Sequence, residues 1–154
     1  MLALGLIGIG ANALAADTAT VVVGATVLSK SNCKFNAPGT ATLAFGNVDP
    51  ASGSPATAST SLVLRCGGAA ASATFNLTHD SGQWETAPNA NRMKHATASP
   101  AEYMAYTLTL TPQSATIPKN TDQTITIDGS IAPADFQNAS MGSYADSVVI
   151  TLNP

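Results

Sequence analysis

Ser59-Thr60-Ser61-Leu62-Val63-Leu64-Arg65-Cys66 decides the fold class of this chain. Leu62, Leu64 and Cys66 fall on one face of a period-two pattern and Ser61, Val63 and Arg65 on the other, as expected of a half-buried β-strand. Gly67-Gly68 ends the run at once.

Outward from this strand the same signal recurs. Ala73-Thr74-Phe75-Asn76-Leu77-Thr78 alternates after the glycine pair, and Ser31-Asn32-Cys33-Lys34-Phe35 and Ala41-Thr42-Leu43-Ala44-Phe45-Gly46 alternate before it. Asp49 to Pro55 is a turn-rich, low-complexity loop. His79 to Pro100 reads as loop, with a brief strand at Met93-Lys94-His95. Strands are predicted at Tyr103 to Leu110, Gln123 to Ile131 and Tyr144 to Leu152. No segment sustains helical periodicity. Short alternating strands with Gly- and Pro-rich turns predict an all-β, antiparallel sandwich of immunoglobulin-like size.

The N-terminal region carries a second message. Leu2 to Gly10 is apolar and leads to Ala13-Leu14-Ala15, a small-x-small pattern, so residues 1–15 read as a signal peptide cut before Ala16. Its basic n-region is missing, which points to a start further upstream. Three glycines in nine residues make a buried helix the weaker reading, and the run is too short for a bilayer span. Export without a membrane anchor after cleavage is therefore expected. In an oxidising compartment the two cysteines, Cys33 and Cys66, are expected to pair. A loop of that size gives roughly 3–4 kcal/mol in the chain-entropy treatment.

Directly after the cleavage site, Thr18 to Leu28 is an apolar, β-branched, Pro-free strand where a chain normally frays. Val21, Val23, Ala25 and Val27 share one face. Such a segment either closes its own sheet or pairs with the edge of another chain.

Composition excludes several functions. Charged residues make up 10 % of the 154, far below the ~25 % of ordinary soluble domains. With net charge -3 and no run of Lys or Arg, nucleic-acid binding has no electrostatic footing. Low charge also leaves little repulsion between copies, which suits an assembling protein. No catalytic residues are assigned. His79 and Asp80 are neighbours that point apart, His95 reads as a loop residue, and no nucleophile-elbow, His-Glu-x-x-His or phosphate-loop pattern occurs. The carboxylates are scattered and the cysteines lack metal-ligand spacing, so neither a metal nor any other cofactor is expected. Asn76-Leu77-Thr78 and Asn138-Ala139-Ser140 fit a glycosylation pattern that arises readily by chance. Trp84 reads either as a cap on the sandwich end or as a sugar-stacking ring.

The order of these features resembles one family. It runs from signal peptide and alternating strand through Cys33, Leu43-Ala44-Phe45-Gly46 and Cys66 to Asp128-Gly129-Ser130-Ile131-Ala132-Pro133. It ends in Gly142-Ser143-Tyr144-Ala145-Asp146 followed by alternating hydrophobics. This resembles the spore coat protein U domain family, which includes major pilins of archaic chaperone–usher pili. The resemblance implies an incomplete immunoglobulin-like sandwich, residues 30–154, completed by a donor strand from another chain. It implies residues 16–29 as the donor extension, with Val21, Val23, Ala25 and Val27 inserting. Val148, Ile150 and Leu152 are implied as the acceptor-groove set, with Val149 and its neighbours as the other parity. The implied function is a pilus subunit polymerising by donor-strand exchange, for surface adhesion or biofilm. Implied partners are further copies of the chain, a periplasmic chaperone and an outer-membrane usher, with passage through the periplasm to the cell surface. The competing reading is a secreted spore-coat, matrix or carbohydrate-binding sandwich that does not polymerise.

Overall fold

In the computed structural model, residues 21–26 and 31–153 are described. The expected signal peptide at residues 1–15, residues 16–20 and Val27 lie outside them. Ten strands and one short helix follow in order: β1 Ser31–Phe35, β2 Ala56–Gly68, β3 Ser72–His79, β4 Arg92–His95, β5 Tyr103–Ala105, β6 Thr107–Thr111, β7 Ser114–Pro118, β8 Asp122–Ile131, α1 Pro133–Phe136, β9 Tyr144–Ala145 and β10 Ile150–Asn153. No helix among the described residues is long and apolar enough to cross a membrane.

Every pairing is antiparallel, and the first two sheets form the sandwich. One sheet runs β1-β2-β8-β6, the second β10-β3-β7, and a small third sheet β5-β4-β9 flanks them. Cross-strand pairs such as Leu62 with Ile125 and Leu110 with Ile127 point into the sandwich. Opposite them, Ala73, Phe75, Leu77 and Ile117 of the second sheet complete the main core. Cys33 and Cys66 are direct cross-strand partners and form a disulfide with an S–S distance of 1.99 Å. A smaller cluster of Met104, Tyr106, Ile131 and Phe136 fills the end near the third sheet.

Three expected strands take a different form. Tyr103 to Leu110 is broken at Tyr106, where the chain leaves the third sheet as β5 and enters the first as β6. The backbone N–H of Tyr106 donates to Asn91 O at that switch. Tyr144 to Leu152 is likewise broken into β9 and β10, with residues 146–149 outside any ladder. Ala41 to Gly46 keeps strand-like alternation, with Leu43 and Phe45 half-buried and Thr42 and Ala44 exposed, yet belongs to no sheet. β7 and α1 carry too few alternating or periodic residues to announce themselves in the sequence.

Candidate functional site

All three of these segments border a groove of about 650 Å³. Leu62, Leu108 and Ile127 of the first sheet line it, with Leu43 and Phe45 contributed by one flanking segment and Val148 and Ile150 by the other. This is an apolar trough beside two stretches of chain that have no sheet partner among the described residues.

Among the described residues, the Leu43 side is held by packing. No backbone–backbone hydrogen bond joins residues 40–48 to any described residue. Instead, Leu43 and Phe45 lie over Gly129 of β8. A Cβ at that position would sit 2.6 Å from Leu43 Cδ2 and 2.8 Å from Phe45 Cζ. Gly129 therefore gives this segment its place over the sheet.

The Val148 side is pinned from outside. Val149 N–H donates to Asp80 Oδ1 at 2.9 Å, and Asp80 N–H donates to Val149 O at 3.1 Å. Asp146 Oδ1 accepts from the backbone N–H groups of Gln83 and Ser147 at 2.9 and 2.8 Å. Its Oδ2 accepts from the Tyr106 hydroxyl at 2.8 Å. Gly82, at φ +81°, makes room for that carboxylate, since a Cβ there would lie 2.0 Å from Oδ2. Burial, and then the hydrogen bond and charge of Asp146, push the Tyr106 hydroxyl far above the usual phenol range, so it remains a donor. Val148, between these anchors, makes no backbone hydrogen bond to any described residue.

The residues before Asp146 form a second fixing point. His95 is buried at the end of β4, at 6 % exposure, which corrects its reading as a loop residue. Its Nδ1 accepts the N–H groups of Thr97 and Ala98 at 3.1 and 2.9 Å, so Nε2 carries the proton and donates to Met141 O at 3.2 Å. A Cβ on Gly142 would lie 2.1 Å from that Nε2. The His95 ring meets Tyr144 edge-on at 4.8 Å between centroids, and the Tyr144 hydroxyl donates to Ser140 O at 3.0 Å. The Gly142-x-Tyr144-x-Asp146 spacing thus has a physical reading: close approach, ring packing and carboxylate anchor in succession.

The sequence-derived residues distribute as follows. Val148 and Ile150 line the groove, and Leu152 packs instead on the main core. All three are half-buried, whereas Val149 is 62 % exposed. Val21, Val22 and Val23 are 80, 92 and 89 % exposed, and residues 21–26 belong to no sheet. Val27 is outside the described residues. Sequence reasoning missed Tyr106, which lines the groove, and Asp80 and Gly82, which anchor it; all three are remote in sequence from the segments they hold and carry no local signal of it. His79 Nδ1 lies 2.7 Å from the carbonyl oxygen of Asp80, not its carboxylate, so the two do not form an acid–base pair.

Comparison with known proteins adds a family. No curated protein matches the chain. One solved structure, from work on a chaperone–tip adhesin complex in the biogenesis of CFA/I fimbriae, aligns with a TM-score of 0.47 and 15 % identity. That alignment covers 80 % of this chain and 41 % of the other, so this chain spans less than half of its neighbour's length. The family model described as Spore Coat Protein U domain matches residues 17–151, a span that includes Gly129, Gly142, Tyr144 and Asp146, and the chain belongs to that family.

Proposed function

We propose that this chain is an exported, non-enzymatic subunit of a surface pilus that polymerises by donor-strand exchange. The observation that carries the reading is the pairing of an apolar groove beside two unladdered segments with an apolar valine run left in solvent. The extension of one copy enters the groove of the next, adds backbone hydrogen bonds to the Leu43 and Val148 sides, and seats Val21, Val23, Ala25 and Val27 on the sheet beneath. This is β-strand addition, in which the ladder supplies affinity and alternate side chains supply specificity.

The energetics suit a durable joint. Each buried valine contributes about 1.5–3 kcal/mol and each ladder bond about 0.5–1.5 kcal/mol. Against these stand the association costs, so the joint relies on the valines and the ladder together rather than on either alone. Before assembly an exposed groove needs cover, which is the role of a periplasmic chaperone, with an outer-membrane usher exchanging it for the next subunit. Adhesion or biofilm formation follows as the task of the fibre.

Export of the full chain and of a variant lacking residues 16–28, followed by unboiled SDS electrophoresis, tests this. The full chain is expected to give an SDS-resistant ladder and the deletion a single band. A ladder from the deletion overturns the proposal.

A further inference from the structure

The chain carries six Lys and Arg residues, and two of them, Arg92 and Lys94, lie on the four-residue strand β4. Being two residues apart on a strand, they project from the same face about 7 Å apart, while His95 is buried on the other. Neither has a carboxylate partner among the described residues, in contrast to Arg65, whose Nε lies 2.6 Å from Asp122 Oδ1. Each rests on an aromatic ring instead. The Arg92 guanidinium lies 3.8 Å from the Tyr103 ring centroid and Lys94 Nζ lies 4.5 Å from that of Trp84, with the two rings 6.5 Å apart. Arg92 Nε donates to the Trp84 carbonyl, which ties the two stacks together.

Beside them is a hollow of about 300 Å³ lined by Trp84, Lys94, Gln83 and Ser147. Asp146 also borders it, but its oxygens are engaged by Tyr106, Gln83 and Ser147. A cation on a ring keeps its full charge, and a cation–ring contact is weaker than an ion pair, so it yields to an anion. The result is two cations without an ion-pair partner among the described residues, beside two aromatic rings and polar rim groups, in a chain that is otherwise acidic.

We infer that the Arg92–Lys94–Trp84–Tyr103 cluster binds acidic polysaccharide, with the cations taking carboxylate or sulfate groups and the rings taking the sugar face. Two cations are too few for the dense phosphate array of a nucleic acid. They suit charges spaced along a saccharide whose hydroxyls reach Gln83 and Ser147. Asp146 and Ser147 border both this hollow and the groove, but Arg92, Lys94, Trp84 and Tyr103 do not line the groove, so a polymer of the kind proposed above would display the cations and rings once per subunit.

The test uses the full chain with polygalacturonate and heparin as probes, neutral dextran and single-stranded DNA as comparisons, and Trp84 fluorescence as the reading. Binding of polygalacturonate or heparin that weakens as salt rises and perturbs Trp84 is expected, with polygalacturonate alone marking carboxylate and heparin alone sulfate as the group taken. The double variant Arg92→Gln/Lys94→Gln should lose about tenfold or more in affinity, while Lys119→Gln should not. Arg92→Lys, which keeps the charge, should retain most of the binding if the double variant fails through folding. No binding to either polyanion at low salt, equal binding to dextran or to DNA, or a Lys119→Gln loss matching the double variant overturns the inference.

Discussion

The Tyr106 hydroxyl donates to Asp146 Oδ2 across forty residues of sequence, joining the point where one strand changes sheets to the segment beside the groove. Asp146 also accepts two backbone N–H groups, so the carboxylate holds three donors at once. Asp146→Ala strands all three and is expected to cost about 1–3 kcal/mol in denaturant unfolding. Tyr106→Phe should cost less. A double-mutant cycle between them should give a coupling of roughly 0.5–3 kcal/mol, and strict additivity would remove the anchor from the account.

The same bond sets an alkaline limit. The Tyr106 hydroxyl titrates higher in the folded chain than in the unfolded one, so the folded state holds the proton longer. Its contribution is complete below the unfolded value of about 10 and is lost as pH rises through the folded value. The stability difference between the native chain and Tyr106→Phe should therefore be constant from pH 7 to 9 and shrink above pH 10. Unfolding curves at stepped pH check it.

Gly129 is expected to tolerate no side chain without moving the groove. A Cβ would press on Leu43 and Phe45, so Gly129→Ala should cost about 1–3 kcal/mol and raise the exposure of both residues. Thermal unfolding and limited proteolysis within residues 40–48 read the two effects together.

The disulfide closes thirty-three residues between Cys33 and Cys66 and sits within the main core. Cys33→Ala/Cys66→Ala should lose roughly 2–5 kcal/mol, the range for small secreted domains. Unfolding of the oxidised native chain against the double variant measures it.

Much of this architecture was legible in local pattern. The alternation of Ser59 to Cys66 and of Gln123 to Ile131 anticipates β2 and β8, the central pair of the first sheet, because one face of each is buried and the other is not. What local pattern cannot carry is partnership. Leu43 and Phe45 alternate as strand residues do, yet their segment has no described ladder. Tyr144 to Leu152 reads as one strand because its alternation is unbroken, while the pairing is interrupted by side-chain anchors at Asp80 and Asp146. The anchoring residues themselves, Asp80, Gly82 and Tyr106, lie far in sequence from the groove segments they hold and have neighbours that give no hint of it. The brief strand at Met93-Lys94-His95 is legible in the sequence, but the burial of His95 is not, because its partners, Met141, Thr97 and Ala98, offer backbone groups that no motif announces.

Whether a strand from another copy completes the groove can be read from amide hydrogen exchange measured on monomers and on SDS-resistant multimers. Amides of residues 40–48 and of Val148 are expected to exchange freely in the monomer and to become protected in the multimer, together with those of residues 18–27. Multimers in which these groove amides still exchange freely, or a variant lacking residues 16–28 in which they are already protected, would contradict completion by another copy.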